Sequence, residues 1–191
     1  MLNYFMKKHF SIFLVIFTIT YGCFQSYAQN KSAMDFDKFV ALFPLEKKPF
    51  PYAVGKSWFN KQPKQAILDN ATVKKYISIA KVWTNNLQKS SIPEYTSFYP
   101  VAQVKIHAGF YSFLVATSQE ETADVYLLTY NKEGKFIDGI CVIIVRPPDA
   151  GISRSAIFAG GMVLMVKEMK QGKASLFTYD IWDIGTLHGK L

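Results

Sequence analysis

The sequence predicts an α+β fold, in which an antiparallel β-meander sheet of about seven strands is covered by short N-terminal helices. Three observations support this prediction: a hairpin-forming stretch at residues 125–145, short β-prone runs joined by turn sequences after residue 101, and two amphipathic helical patterns before residue 100. The connections between the β-prone runs are short. They favour antiparallel pairing, because a parallel pair needs a crossover connection of a dozen or more residues.

Residues 1–28 have the three parts of an export signal. Two lysines at positions 7–8 precede an uninterrupted apolar run at 10–21, and the Ser-Tyr-Ala sequence at 26–28 matches the small-x-small cleavage pattern. The apolar run is shorter than the roughly 20 residues that a membrane-spanning helix requires. We expect cleavage after this signal peptide, which leaves a single globular domain at residues 29–191 in an exported protein, either periplasmic or secreted.

Two other fates of the signal segment stay open. It could remain in place as an N-terminal anchor, or a lipid could be attached to Cys23 after cleavage before that residue. Gly22 suits the position before a lipidated cysteine, but Thr20 stands where bacterial lipoprotein signals carry Leu. We therefore rank lipidation below simple cleavage. Membrane contact is expected only through this segment or through a lipid on Cys23.

The charge balance argues against one class of partner. The full chain has 22 Lys and Arg and 14 Asp and Glu, and the export segment holds two of the lysines and no acid. The net charge of +8 therefore becomes +6 for the remaining domain, which favours solubility and attraction to acidic surfaces. The basic residues are scattered and are not interleaved with stacking aromatic residues, so we expect no nucleic-acid binding.

The first helical pattern lies in the N-terminal part, residues 29–100, which we expect to be helical or irregular. It follows a sequence at Ser32 that resembles a capping box, and it stops at Pro44. The apolar stripe of this helix consists of Phe36, Phe39, Val40 and Phe43. Their spacing is that of one helical face, and we expect this face to pack on the sheet.

A second short helix is predicted after Asp69 or Asn70, both of which are favoured at helix N-caps. Its apolar face would consist of Val73, Tyr76, Ile77 and Ala80. The proline-rich residues 44–63, which precede it, predict an ordered but irregular connection across the surface.

The stretch at residues 125–145 predicts a central antiparallel hairpin. Residues 125–130 and 136–145 are apolar runs, and the sequence from Asn131 to Gly134 between them suits a turn. Asn tolerates a left-handed backbone, and Gly adopts it at no steric cost. Both runs are apolar at odd and even positions, so we expect the hairpin to be buried on both faces.

Other β-prone runs flank this hairpin in the predicted sheet region, residues 101–191. Two precede it and three follow it, and turn or loop sequences separate each run from the next. The predicted strands are 104–108, 111–117, 125–130, 136–145, 155–159, 162–168 and 174–182.

Three segments of the sheet region carry a resemblance to known proteins: LLTYNKEGKFIDG, SAIFAGGMVLMV and TYDIWDIGTL. Over roughly its C-terminal half, the chain resembles exported, uncharacterised β-rich proteins of Gram-negative bacteria. These proteins resemble one another as a short helical part followed by an antiparallel sheet. The resemblance implies export and the fold class. It contains no functional motif, so it implies no activity and no site residue.

Few residues suggest chemistry. Cys141 lies in an apolar run and is expected to be a core residue rather than a nucleophile. His107 and His188 have no further metal-ligating residue at a characteristic spacing, so we expect no metal and no cofactor. Asp138 is a charge inside an apolar strand, and we expect it to pair with Lys135 or to mark a sheet edge. The sequence contains no catalytic motif, and we assign no catalytic residue.

The best candidate for a ligand-binding site is the loop from Arg146 to Arg154. It contains the two arginines together with Asp149 and Ser153. Two guanidinium groups bind a carboxylate or a phosphate through paired hydrogen bonds. The alternative is a solvated hairpin in which the Arg and Asp side chains pair with each other. We favour this alternative, because exposed charged turns are common.

Three functional classes are compatible with these observations. We favour a non-enzymatic binding or interaction protein of the periplasm or cell envelope, with another protein as its partner. One version is an immunity protein or inhibitor that caps an enzyme in the periplasm. The alternatives are a small hydrolase acting on envelope or extracellular material and a structural component attached to the envelope.

Overall fold

Eleven strands and three short helices form in the part of the chain that the computed structural model describes, and all the strands belong to one sheet. The described residues are 35–63, 65–77, 81–85, 88–91, 97–119, 122–147, 150–160, 162–182 and 185–190. The helices are α1 (Phe36–Ala41), α2 (Lys56–Phe59) and α3 (Asn70–Tyr76). The strands are β1 (Tyr52–Val54), β2 (Lys81–Asn85), β3 (Gln88–Ser91), β4 (Phe98–Gln103), β5 (Tyr111–Gln119), β6 (Thr122–Tyr130), β7 (Phe136–Val145), β8 (Ile152–Ala159), β9 (Val163–Lys170), β10 (Lys173–Ile181) and β11 (Leu187–Lys190).

The predicted export signal at residues 1–28, including Cys23, lies outside the described residues. Within the described residues, no helix has both the length and the apolar character needed to cross a membrane.

Eight of the strands form an antiparallel meander. Strands β4 to β11 lie side by side in chain order, and each pairs with the next. Strand β1 adds to β8 in the antiparallel sense, and β2 joins β7 through one parallel pair, with β3 on the far side of β2. The predicted fold, a mostly antiparallel sheet with a few short helices, is confirmed at this level.

The predicted number of strands is too low, and one predicted strand is wrong. Strands β1 to β3 form in residues 29–100, where we expected only helical or irregular structure, and β1 and α2 interrupt the connection at 44–63. No strand forms at 104–108; β4 ends just before this segment. Val104 and Ile106 alternate with polar residues there because both side chains face the interior of the molecule from a bend. The N–H of Val104 donates to the C=O of Ser112 at 2.9 Å.

The sheet folds back on itself between β7 and β8, which are joined by a single residue pair in the described part of the chain. The hydroxyl of Thr129 on β6 donates to the C=O of Gly185, in the turn before β11, at 2.6 Å. The carboxylate of Asp138 on β7 accepts the N–H of Leu187 on β11 at 3.1 Å. Because β11 lies several strands away in the sheet order, the β4–β7 half and the β8–β11 half must face each other.

An interior core fills the space between the two halves. It contains side chains from β1, α2 and every strand of the meander. Its fully buried members include Leu114, Leu127, Ile140 and Leu164. On a flat sheet this face would be open to water, so the fold-back is what buries these side chains and gains their hydrophobic stabilisation.

A second core, the helix-side core, lies on the outer side of the β4–β7 half. Helices α1 and α3 supply its outer layer, with Phe39 and Tyr76 as the largest buried side chains. The sheet contributes Phe113, Val115, Tyr126, Leu128, Tyr130 and Cys141. The predicted packing of the Phe-rich helix on the sheet is therefore confirmed. The central hairpin is buried on both faces, as its two-sided apolar pattern predicted.

Aspartate caps fix the starts of α1 and α3. The side chain of Asp35 accepts the N–H of Lys38 at 2.9 Å, and that of Asp69 accepts the N–H of Thr72 at 2.9 Å. Asp69 is one of the two predicted caps. For α1 the cap is Asp35 and not Ser32, which lies outside the described residues.

The turn of the central hairpin uses the predicted Asn and Gly. The side-chain oxygen of Asn131 accepts the N–H of Lys135 at 2.8 Å, and the N–H of Gly134 donates to the C=O of Asn131 at 3.1 Å. Gly134 has φ +83, a left-handed backbone that Gly adopts without steric cost. The hairpin register is therefore set by local turn chemistry.

Candidate binding surface

The two arginines of the predicted loop site lie in separate ion pairs. Arg146 follows β7 and binds Asp124 on β6, with Nη1 and Oδ1 at 2.7 Å and Nη2 donating to Oδ2 at 3.0 Å. This side-chain hydrogen bond raises the pKa of Arg146. Arg154 lies within β8, where it is buried and paired with Glu168 on β9. Each guanidinium group therefore faces its own carboxylate, and neither charge requires a ligand to balance it.

The structure says less about Ser153 and Asp149, the other two residues of the predicted site. Ser153 is exposed, whereas the next residue, Arg154, is buried, so the two side chains lie on opposite sides of β8. Asp149 lies outside the described residues. The assignment of a ligand to Asp149 and Ser153 stays a prediction.

Arg154 stabilises the corner at which the sheet folds back. Its Nη1 donates to the C=O of Cys141 on β7 at 3.0 Å, and its Nη2 binds the carboxylate of Glu168. Among the described residues, strands β7 and β8 pair at Ile144 and Arg154 alone, so the carbonyl groups of β7 near this point need other donors. The guanidinium group supplies one, which gives Arg154 a structural role.

Cys141 is confirmed as a core residue. Its thiol lies in the helix-side core, and burial raises its pKa to about 12. A thiol in this state has almost no thiolate near neutral pH, and the thiolate is the nucleophilic form. Cys141 therefore does not have the properties of a nucleophile.

We expect the Cys141 thiol to resist alkylation in the folded protein. At about pH 8, iodoacetamide should leave it unmodified, because both its burial and its raised pKa oppose reaction, and it should react fully once the chain is unfolded in urea. Mass spectrometry of the peptide that contains Cys141 separates this thiol from Cys23. Rapid modification of the folded protein would contradict the buried position.

Asp138 is buried within the sheet, and the expectation that it marks a sheet edge is wrong. Strand β7 has neighbours on both sides, with β6 on one side and β2 and β8 on the other. The Oδ1 atom of Asp138 accepts the N–H of Gly139 at 2.8 Å, and Oδ2 accepts that of Leu187 at 3.1 Å. The carboxylate thus joins β7 to β11 across the fold-back. Lys135, the expected ionic partner, is exposed in the hairpin turn.

His107 and His188 lie at the surface. His107 is in the bend after β4, where its Nδ1 accepts the N–H of Gly109 at 3.0 Å. His107 was expected on the predicted strand at 104–108, and no strand forms there. The ring of His188 on β11 stacks on Trp182, with centroids 3.8 Å apart and planes 19° apart. Among the described residues, no group of three or more His, Cys, Asp or Glu side chains is placed to hold a metal ion.

A small apolar cavity lies at the margin of the interior core. Its volume is about 30 Å³, and its lining includes Phe50, Ile106, Phe158 and Met162. This volume matches a single water molecule, whereas pockets for small organic ligands are typically about 300–1,000 Å³. The cavity is too small to be a substrate site.

The outer side of the β8–β11 half is left uncovered by the helices and strands that the structure describes. We call this surface the open face. Strand register and side-chain alternation place on it Ile157, Met165, Lys167, Leu176, Thr178, Asp180, Trp182 and His188. The corresponding side of the β4–β7 half is covered by α1 and α3.

Large apolar side chains are exposed on the open face. Leu176 is 64% exposed, Trp182 is 50% exposed and Ile157 is 41% exposed. Single exposed apolar residues are ordinary, and these three are spread over the face with Met165 and Thr178 between them. What they share is an outer sheet side that no described helix or strand covers, so they are available for contact with another molecule. The stack on His188 holds the Trp182 ring in one orientation, which lowers the entropy that this ring would lose on binding.

The exposed charges at the turn end of strands β9 and β10 are positive. Strands β9 and β10 carry three exposed lysines, Lys167, Lys170 and Lys173. Of their two acids, Glu168 is buried against Arg154, and Asp180 is half-buried toward the other end of β10. Lys167 lies on the open face, whereas Lys170 and Lys173 lie on the opposite side of the two strands beside the turn. The turn end of the β9–β10 hairpin is therefore basic on both of its sides.

Comparison of the chain with protein-family models, with curated proteins and with solved structures finds no match. Among the described residues, the open face is the feature best suited to contact another molecule.

Proposed function

We propose that this chain is an exported, non-enzymatic binding protein of the periplasm or cell envelope, and that it contacts a protein partner through the open face. The location is supported by the sequence pattern at residues 1–28, which predicts an export signal.

The observation that carries the proposal is that helices cover one outer side of the sheet and leave the other exposed. The chain covers one side with α1 and α3, and it leaves Ile157, Leu176 and Trp182 exposed on the other. Burying one large apolar side chain contributes about 1.5–3 kcal/mol. A partner that covers these three side chains therefore gains a substantial part of its binding free energy from them, and a fixed Trp is a frequent anchor of interfaces.

The charge of the surface favours an acidic partner. Lys167 lies on the open face itself, opposite Leu176, and Lys170 and Lys173 flank the adjoining turn. A positive patch beside an apolar one steers negatively charged partners toward the contact and disfavours positively charged ones. We therefore propose a protein whose contact surface is apolar at its centre and acidic at its rim.

The test compares a variant of the open face with a matched control. The variant carries Ile157→Ser and Trp182→Ser; the control carries Ile67→Ser, which removes an apolar side chain that is 66% exposed but lies between α2 and α3. Tagged forms are expressed in the source cell and captured from its envelope and secreted fractions. We expect one stoichiometric protein with the original chain and with the control, and its loss with the open-face variant.

Two results would contradict the proposal. One is that no protein is retained in stoichiometric amount by the original chain. The other is that the open-face variant retains the partner as well as the control does. Thermal unfolding of all three forms checks that the substitutions leave the fold intact, as expected for exposed positions.

A further inference from the structure

Strand β10 has an unpaired stretch along one of its edges. On one side, β9 pairs with it from Lys173 to Asp180. On the other side, β11 pairs only from Thr178 to Ile181. Residues 173–177, which we call the open edge, therefore have no neighbouring strand on this side among the described residues.

The direction of the backbone groups on the open edge follows from the pairing of β10. The N–H of Ile181 donates on the β9 side at 2.7 Å, and that of Trp182 donates on the β11 side at 2.9 Å. These directions alternate along an antiparallel strand. The N–H and C=O groups of Ala174 and Leu176 therefore point away from β9, toward the open edge, and both residues are exposed.

The edge at the other end of the meander, along β4, is covered by other segments of the chain. Along β4, the N–H of Glu46 donates to Gln103 at 2.8 Å, the N–H of Gln103 donates to Pro44 at 2.8 Å, and the N–H of Leu68 donates to β4 at 2.7 Å. Segments of the same chain thus cover the β4 edge. An uncovered edge is a template onto which another extended segment pairs, and strand addition is a common mode of peptide recognition.

The charges at the open edge restrict what can pair there. Lys167 lies directly opposite Leu176, Lys173 begins the edge, and Lys170 precedes the turn. Lys173 lies on the edge strand itself, and a lysine on a sheet edge disfavours edge-to-edge pairing of two copies. An acidic segment is instead attracted to this basic end of the edge.

We propose that an extended, acidic segment of a protein partner adds to the open edge as a further strand. Its backbone pairs with Ala174 and Leu176, and its apolar side chains pack beside Leu176 on the open face. Its acidic side chains alternate to the opposite side of the sheet, near Lys173 and Lys170. The inference rests on the proposed function, because the open edge adjoins the open face that contacts the partner.

The first experiment uses a synthetic peptide of alternating Val and Glu as the probe, and a peptide of alternating Val and Lys of the same length as its control. Hydrogen exchange of assigned amides is followed by nuclear magnetic resonance. At about 1 mM peptide and a Kd of about 0.1 mM, occupancy slows exchange at the amides of Ala174 and Leu176 by about 10-fold. The Val–Lys peptide is expected to leave both amides unprotected.

The second experiment separates backbone pairing from other contacts. Ala174→Pro removes the N–H that points to the open edge, and it leaves the hydrogen bonds to β9 in place. Ala174→Val keeps the N–H and is the matched control. We expect the proline variant to bind the Val–Glu peptide at least about 10-fold more weakly, and the valine variant to bind it as before.

Several results would overturn the inference. They are a lack of protection at Ala174 and Leu176 in the original chain, equal binding of the two peptides, and unchanged binding by Ala174→Pro. A dimer that Ala174→Pro abolishes would overturn it too, since the occupant would then be a second copy. If Ala174→Pro disturbs the β9 amides, the protection pattern of the original chain with the two peptides decides.

Partner capture distinguishes this inference from the proposed function. Suppose that the partner is lost with Ile157→Ser and Trp182→Ser but retained with Ala174→Pro. This result would support partner contact through the open face and would contradict strand addition at the open edge. Retention of the partner by both variants would remove the support for both.

Discussion

Replacing Glu168 with Ala is expected to lower the free energy of unfolding by about 3–5 kcal/mol. Arg154 is 4% exposed and Glu168 is 8% exposed, so the two charges neutralise each other away from water. Removal of the carboxylate leaves a buried positive charge without its counter-ion, and that desolvated charge is the origin of the loss. Urea unfolding followed by tryptophan fluorescence measures it.

A double variant identifies the cause of the loss. Arg154→Met combined with Glu168→Leu removes both charges and keeps the volume apolar, so no uncompensated charge remains. The double variant still loses the hydrogen bond from Arg154 to the C=O of Cys141. This loss lowers the free energy of unfolding by about 1–3 kcal/mol. We therefore expect the double variant to be more stable than Glu168→Ala. Equal destabilisation would show that the uncompensated charge is not the cause.

The ion pair of Asp124 and Arg146 serves as the matched comparison. Its side chains are 23% and 27% exposed, so water screens the interaction. We expect Asp124→Ala to cost no more than about 1 kcal/mol. A loss as large as that of Glu168→Ala would show that burial does not separate the two pairs.

Replacing Phe39 with Ala is expected to lower the free energy of unfolding by about 3–5 kcal/mol. The ring of Phe39 is fully buried and stacks on Tyr76 at 4.6 Å between centroids, with Phe43 at 5.1 Å and Phe113 at 5.6 Å. The change removes the buried ring from α1 and leaves a cavity among aromatic side chains that are fixed by strands and by α3.

Phe39→Leu is the control for this prediction. It keeps most of the apolar volume, so we expect a smaller loss, of roughly 1–2 kcal/mol. Urea unfolding measures both variants against the original protein. Equal stability of the Ala variant and the original chain would show that α1 contributes little to the fold, contrary to its place in the helix-side core.

The sequence was most informative where structure depends on neighbouring residues. The turn from Asn131 to Gly134 and the Asp69 cap were predictable, because each follows from the conformational preference of one residue and a hydrogen bond a few positions away. The burial of the central hairpin was predictable as well. A strand apolar at odd and even positions is stable only when both of its faces are covered.

The fold-back and the extra strands depend on contacts between distant parts of the chain, and the sequence did not reveal them. Arg154 looked like part of a charged loop, although it begins the inward-facing series that continues with Ala156 and Phe158 on β8. A charged residue at an inward position hides this alternation. The buried charge of Arg154 is balanced by the carboxylate of Glu168, which lies 14 positions further along the chain.

The candidate site was missed for a related reason. Ile157 and Leu176 are apolar residues in apolar strands, and nothing local marks them as exposed. Their exposure follows only once Ala156, Phe158 and Phe177 are known to face the interior core. The predicted loop site rested on residue type alone, which could not show that each arginine already has a carboxylate.

The two hydrogen bonds across the fold-back also constrain the order in which the protein forms. Pairs within the meander join consecutive strands, whereas the bond from Asp138 to Leu187 spans 49 residues and that from Thr129 to Gly185 spans 56. The loop-closure entropy of these long contacts is lost before they contribute stabilisation, so we expect the hairpins of the meander to form before these closing contacts. Until closure the carboxylate of Asp138 remains hydrated. Its dehydration therefore coincides with the docking of β11, and this couples the last strand of the sheet to the completion of the interior core.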